Sequence, residues 1–244
     1  MSKDCDTIDF MRWIRKFQLF LFDFDGLLVN TEHIHYQAYV NMMERRGYKL
    51  DWSYGRFCEM AHLNSSALRE GLYAQFPDLE PNWDLLYEEK KKAYFDLLLS
   101  GRVELMKGVE PLLKELATAG IRRCVVTNSL LEQTQLISAQ LPILKTIPKW
   151  ITREDYSKPK PDPECYFRAI ALCAQPGDHI IGFEDSIRGL QALCQTPALP
   201  VLICESHHPF LEMIVDESVQ HFESFEMIPE YDILKGYPTS RKSD

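Results

Sequence analysis

The apolar positions of this chain fall into two textures. Between about residues 33 and 104 they recur at helical spacing. Ile34, Ala38 and Met42 share a stripe with Tyr39 and Met43, and Gly47 is a natural stop. Asn64 is placed to cap a second helix carrying Leu68, Leu72 and Phe76. Asn82 is placed to cap a third, with Leu85, Leu86, Ala93, Tyr94, Leu97 and Leu98. No strand is predicted in this block. On either side of it, short apolar runs alternate with amphipathic stretches. Leu19 to Phe22 has the length and content of a buried parallel strand. Further on, Val109, Leu112, Leu113 and Leu116 mark a helix that Gly120 ends. A β-branched run, Ile121 to Thr127, follows as a strand, then a helix over 130–140 and a short strand, Trp150 to Thr152. A helix begins near Pro163, His179 to Phe183 reads as a strand, 186–195 as a helix, and Val201 to Cys204 as a strand.

Strands alternating with helices predict a parallel sheet with helices on both faces. Such sheets take their ligands at the carboxyl ends of the strands. The expected fold class is therefore α/β, a Rossmann-like parallel core made of residues 1–32 and 105–244. A helical domain, 33–104, is inserted directly after the first strand. In the short extension 1–18, Trp13, Ile14 and Phe17 make one helical face, which suits packing better than membrane binding.

Composition narrows the function. A chain of 244 residues with 45% apolar and 26% charged residues is long enough for one large domain or two small ones. A net charge of −9 argues against a nucleic-acid partner but leaves room for a local basic pocket. The seven cysteines are scattered and include no Cys-x-x-Cys, so free thiols in a reducing compartment are expected rather than a zinc site. The apolar run near the start is broken by Gln18 and stopped by Asp23, which is not a secretory pattern. No segment is long enough to span a membrane. A cytoplasmic monomer without a membrane partner is expected.

The chemistry gathers at strand ends. Asp23 and Asp25 follow the first strand two residues apart, on one face, with Gly26 behind them to turn the chain. Two adjacent acids repel unless a cation lies between them or one holds a proton. That points to a hard cation held by oxygens, or to a nucleophile beside an acid/base, although such a pair also caps turns. Thr127-Asn128-Ser129 ends the second strand, where a hydroxyl and an amide suit a phosphate oxygen or a plain helix cap. Ser157-Lys158-Pro159-Lys160-Pro161-Asp162-Pro163 is a loop stiffened by prolines, fit to hold one lysine in place. Glu184-Asp185-Ser186, followed by Gly189, supplies a second acidic pair at a strand end. With Asp23 and Asp25 it forms an oxygen-rich set suited to magnesium.

In this order the four strings resemble the four signature motifs of the haloacid dehalogenase superfamily, over about residues 17–222. The resemblance implies that block 33–104 is the family's helical cap domain. The subgroup it points to holds sugar-phosphate phosphatases and β-phosphoglucomutase. It implies a magnesium-dependent phosphatase acting on a small phosphorylated metabolite through an aspartyl phosphate. Asp23 is then the nucleophile and Asp25 the general acid and base. Thr127, Asn128 and Lys158 hold the phosphoryl oxygens. Asp23, the carbonyl of Asp25, and Asp185 hold the metal, with Glu184 behind them. In this reading Lys158 fills the lysine position of the Lys-Pro-x-Pro motif and Lys160 the variable one. The alternative within the fold is a phosphohexose mutase. His35 stands where the mutase pattern has a histidine assisting the acid/base, Arg56 where it has a cap arginine, and Lys90 begins a run of cap lysines. Against the mutase, Leu63 stands where a cap glycine is usual. Gln195-Thr196-Pro197 replaces a common Ala-Gly turn. A binding module that kept the fold and lost activity is the reading from another class.

Overall fold

The computed structural model describes residues 12–63, 66–101, 103–206, 211 and 219–230. The chain divides into two compact units, Met1–Val29 with Leu105–Asp244, and Asn30–Glu104. The division falls at Val29 rather than at residue 32, because Val29 bridges both Asp25 and Leu105 while Met106 N–H donates to the Leu28 carbonyl at 3.0 Å.

The first strand, β1 (Leu19–Phe22), is buried along its whole length, and its two faces meet different cores. Leu19 and Leu21 join Val126, Ile151 and Tyr166 on one side. On the other, Phe20 and Phe22 stack on Phe183, with ring centroids 6.1 and 5.3 Å away. Burial on both faces is why this strand reads as an unbroken apolar run. Trp13, from a 3-10 turn over Arg12–Lys16, and Phe17 just after it cover Phe20, so residues 12–18 pack on the sheet.

The inserted unit is helical, with α1 (Glu32–Arg45), α2 (Tyr54–Leu63), α3 (Ala67–Gln75) and α4 (Trp83–Leu99). Met42, Met43, Leu50, Trp52, Phe57, Leu72 and Leu86 form its core. Asn82 caps α4 as expected, its Oδ1 accepting from Asp84 N–H at 3.1 Å and Leu85 N–H at 3.4 Å. The cap expected at Asn64 lies outside the described residues, and α3 begins after Ser66. Helix α2 was not predicted. Its apolar stripe is short, and among the described side chains Phe57 is the one that anchors it deeply in the core. Arg46 ties α1 to α4 through a two-pronged pair with Glu89, at 2.7 and 2.8 Å.

The rest of the chain completes the other unit. After α5 (Val109–Thr118) come β2 (Arg122–Val126), α6 (Leu131–Gln140), β3 (Lys149–Ile151) and α7 (Glu164–Cys173). Then follow β4 (Ile180–Glu184), α8 (Ile187–Cys194), β5 (Leu199–Ile203) and β6 (Gln220–Phe222). The six strands form one sheet in the order β3-β2-β1-β4-β5-β6, and each neighbouring pair is parallel. The edge strand β6, three residues of mixed polarity, is too short to show a period in the sequence. With β1 central, chain order reverses between β1 and β4, the switch point at which such sheets open a crevice. Among the described residues no helix is long and apolar enough to cross a membrane.

Candidate active site

Register brings the acidic residues together. Phe22 is level with Val125 of β2 and with Phe183 of β4. The residues just beyond, Asp23, Thr127, Glu184 and Asp185, therefore leave three neighbouring parallel strands at the same carboxyl edge. Asp23 N–H donates to the Phe183 carbonyl at 3.0 Å, and Thr127 N–H to the Ile151 carbonyl at 2.9 Å. The ladder thus reaches to the site before the chain turns away.

The two glycines of the acidic motifs have specific reasons. Gly26 has φ +80°, and a Cβ there would lie 2.0 Å from Asp185 Oδ2. The Asp185 carboxylate reaches over Gly26 into space that a side chain would fill. At the start of α8, a Cβ on Gly189 would lie 1.9 Å from Glu184 Oε2. The same glycine donates its N–H to the capping Ser186 Oγ at 3.2 Å.

Carboxylate oxygens of Asp23, Glu184 and Asp185 lie within 4.8 Å of one another. The cation between two of them is Lys160, not Lys158. Lys160 Nζ donates to Asp23 Oδ1 at 2.5 Å, Glu184 Oε1 at 2.6 Å and the Val126 carbonyl at 2.8 Å, which uses all three ammonium protons. It is 6% exposed. The Lys158 side chain is 74% exposed and pairs with Asp162 at 3.7 Å. The site lysine is therefore corrected from Lys158 to Lys160. The loop contains two overlapping Lys-Pro-x-Pro strings, Lys158 to Pro161 and Lys160 to Pro163, and geometry selects the second. The Glu164 carboxylate accepts both Ser157 N–H and Lys158 N–H at 2.9 Å, which holds the first string against the start of α7, away from the acids.

Burial works against the Lys160 charge, but Asp23 and then Glu184 outweigh it and hold the ammonium above its usual range. For Glu184, burial pushes the carboxyl up, to about 7, against the pull of Lys160 and helped by the Asp23 charge. Tyr166 donates its hydroxyl to Glu184 Oε1, and the Lys160 ammonium stands 4.9 Å from its ring centroid. Glu184 Oε2 is buried without a hydrogen-bond partner. An orphaned carboxylate oxygen and three converging carboxylates against one ammonium are a donor set that fits a hard divalent cation such as magnesium.

The second carboxylate of the first motif, Asp25, is held differently. Its Oδ2 accepts from Ser129 Oγ and, at 3.5 Å, from Thr127 Oγ1. Thr127 Oγ1 in turn accepts Ser129 N–H at 3.0 Å, closing a tight hydroxyl turn at the end of β2. Asn128 is exposed beside it, and its Oδ1 accepts from Tyr156 Oη at 2.6 Å and Lys160 N–H at 3.3 Å.

His35 and Arg56 belong to the helical unit. His35 Nδ1 lies 2.7 Å from Lys90 Nζ. An ammonium can only donate, so Nδ1 accepts and the ring proton sits on Nε2. Burial, and then the Lys90 charge, hold this imidazole well below its usual value. The ring stacks on Tyr94 at 4.1 Å. Lys90 is buried at 5% exposure among the rings of Tyr39, Tyr87 and Tyr94, whereas Lys91 and Lys92 pair with Glu88 and Asp96 along the helix. Arg56 is exposed, with its guanidinium 5.1 Å over the Trp52 ring. Sequence reasoning gave Lys160 the variable position of its motif and Lys90 a place in a run of cap lysines, and it did not single out Tyr156 or Tyr166. The second Lys-Pro-x-Pro string was the available signal for Lys160. No local pattern marks the two tyrosines.

Residues 20–196 match the family model described as haloacid dehalogenase-like hydrolase. The validoxylamine A 7'-phosphate phosphatase of Streptomyces hygroscopicus subsp. limoneus is 30% identical over 182 residues, 72% of this chain and 80% of that protein. The 6-phosphogluconate phosphatase of Escherichia coli is 26% identical over 220 residues, 88% of this chain and 95% of that one. Among solved structures, CbbY from Rhodobacter sphaeroides in complex with phosphate superposes with a TM-score of 0.68 at 22% identity, covering 87% of this chain and 96% of its own. At that identity the last match speaks to the fold alone.

Proposed function

This chain belongs to the haloacid dehalogenase-like hydrolases, and from that premise we propose that it is a magnesium-dependent phosphatase of small phosphorylated metabolites, sugar phosphates or similar polyols. The observation that carries the reading is the division of labour between the two aspartates. The Asp23 carboxylate is bound by the Lys160 ammonium, whereas Asp25, two residues on, is held by the hydroxyls of Ser129 and Thr127. One carboxylate is thus paired with an ammonium, and the other rests on hydroxyl groups.

In the proposed reaction Asp23 attacks phosphorus through Oδ2, because Oδ1 is engaged by Lys160. The phosphorus–oxygen bond to the leaving group breaks, and Asp25 protonates the departing oxygen. Asp25 then takes a proton from the water that cleaves the aspartyl phosphate, which restores both residues. Asn128 and Thr127 hold the transferring oxygens and Lys160, its three protons engaged, attracts them through its charge, so most of the rate enhancement comes from positioning and electrostatics. Asp23, the backbone carbonyl of Asp25, and Asp185 would hold the magnesium, with Glu184 next to them. When bound, it supplies positive charge between nucleophile and phosphate. The substrate class follows the relatives, whose names specify phosphorylated sugar-like compounds.

The test is turnover of a panel of sugar phosphates with magnesium, for the full chain and for Asp23→Asn. The wild type should release inorganic phosphate, and the variant should lose turnover while keeping a cooperative thermal transition. An Asp23→Asn protein that hydrolyses at the wild-type rate would sink the mechanism. Isomerised sugar phosphate formed from β-glucose 1-phosphate, with a trace of bisphosphate, faster than free phosphate would move the assignment to a mutase.

A further inference from the structure

We propose that Tyr156 is a positioning residue for the phosphate site, its hydroxyl fixing Asn128 so that the amide nitrogen, and not the oxygen, faces the phosphoryl group. This deepens the phosphatase reading and rests on it.

The argument starts from how many hydrogen bonds each group can make. Asn128 offers one acceptor oxygen and one donor nitrogen. Its Oδ1 is approached by the Tyr156 hydroxyl at 2.6 Å and by Lys160 N–H at 3.3 Å. A backbone N–H has no lone pair, so the amide atom facing Lys160 has to be the oxygen. With both acceptor directions of Oδ1 in use, the NH2 is left as the group presented away from this pair, on a residue that is itself exposed. A donor there suits a phosphoryl oxygen, and an acceptor would repel one.

Tyr156 is built to set this orientation. It follows a 3-10 turn, Arg153–Asp155, whose start is closed by a reciprocal capping box between Thr152 and Asp155. Its ring is 6% exposed and packs with Leu21, Val126, Cys165 and Tyr166 in the sheet core. A ring so enclosed has little freedom to swing its hydroxyl elsewhere. Besides Asn128, that hydroxyl lies 2.8 Å from the Thr127 carbonyl. The phenol has a single proton and both neighbours are acceptors, so it serves the Asn128 oxygen and the Thr127 carbonyl as one shared, three-centre donor at the β2 end. Through Asn128 Oδ1 it also reaches the backbone of Lys160, the residue that pairs with Asp23. Two of the groups proposed to hold the phosphoryl oxygens, from separate loops, thus meet at one oxygen, Asn128 Oδ1.

The experiment uses the full chain, with inorganic phosphate as the binding probe and p-nitrophenyl phosphate as the generic ester. Tyr156→Phe removes only the hydroxyl and should weaken both phosphate affinity and kcat/KM by about fivefold to tenfold, the size of one net hydrogen bond. The same change in an Asn128→Ala background should cost less than about twofold, because its target is gone. Asn128→Asp keeps an oxygen for Tyr156 and Lys160 but replaces the donor with an anion. It should keep the melting temperature and lose phosphate binding. The role is overturned if Tyr156→Phe costs the same factor with and without Asn128, if it changes neither binding nor turnover, or if Asn128→Asp binds phosphate like the wild type. A wild type that neither binds phosphate nor cleaves any ester overturns the phosphatase reading itself, a result distinct from those three.

Discussion

Lys160 Nζ stands 2.5 Å from Asp23 Oδ1, and the same ammonium reaches Glu184 across the next strand at 2.6 Å. The neighbouring acids of two parallel strands therefore share one counter-charge, which is largely shielded from solvent. Breaking a buried pair of this kind by removing one partner leaves uncompensated charge and costs about 3–5 kcal/mol. Lys160→Met should accordingly lower stability by several kcal/mol in urea melts and abolish ester hydrolysis. Lys158→Ala, at an exposed loop position, should stay within about 0.5 kcal/mol of wild type and within about twofold in rate. The reverse ranking of the two variants would refute the assignment of Lys160.

Most of the fold was legible because its cause is local. The continuous apolar run of β1 and the helix-strand alternation after residue 105 each follow from burial on a defined face. The acids were legible for the same reason, since each follows directly on a recognisable strand. The lysine was not, because two overlapping proline strings present equivalent chemistry two residues apart. Which one turns inward depends on where Glu164 anchors the loop, a tertiary contact. Lys90 illustrates the same limit. A run of three lysines does not show which member is buried, yet Lys90 is enclosed by tyrosine rings from two helices, including Tyr39. Tyr156 and Tyr166 carry no periodic or motif signal, and their roles exist only once the loop is folded against the sheet.

Gly26 makes a sharper test of the acidic motifs than any charge reversal. Its φ of +80° disfavours a side chain, and a Cβ would press on Asp185 Oδ2 at 2.0 Å. Gly26→Ala should cost about 1–2 kcal/mol for the left-handed backbone. It should also displace Asp185, so the response to magnesium falls more than stability does. A variant with wild-type turnover and an unchanged magnesium response would show that Asp185 does not need the space over Gly26.

The imidazole of His35 should make stability depend on pH. Its folded-state value lies well below the usual 6.5, first through burial and then through Lys90. The unfolded chain therefore binds the proton more readily than the folded one. The contribution is present above about pH 6.5 and is lost as the pH falls toward the folded value, with a limit of about 1.4 kcal/mol per pH unit for one proton. His35→Gln keeps an acceptor for Lys90 and removes the titration. Urea melts of both proteins between pH 7.5 and 5.5 should converge as the pH falls. Parallel curves would mean that His35 is not the linked group.

Magnesium should stabilise the fold whether or not a substrate is found. The carboxylates of Asp23, Glu184 and Asp185 converge to within 4.8 Å and have one ammonium, Lys160, between two of them. The excess negative charge is costly in the folded state alone, because unfolding separates the strand ends that hold it. A cation that binds only the folded protein adds about 2.7 kcal/mol at a hundredfold excess over its dissociation constant. For a chain of this length that corresponds to roughly 5–10 °C in Tm. Asp185→Asn should reduce the rise, and it should raise the Tm of the metal-free protein slightly by removing one of the crowded charges. Calcium, larger and less demanding in geometry, should give a different increment from magnesium at equal concentration. The measurement is a thermal melt across a magnesium titration from micromolar to millimolar. A flat wild-type curve, or an Asp185→Asn curve that rises as steeply as the wild type, would refute the ligand set.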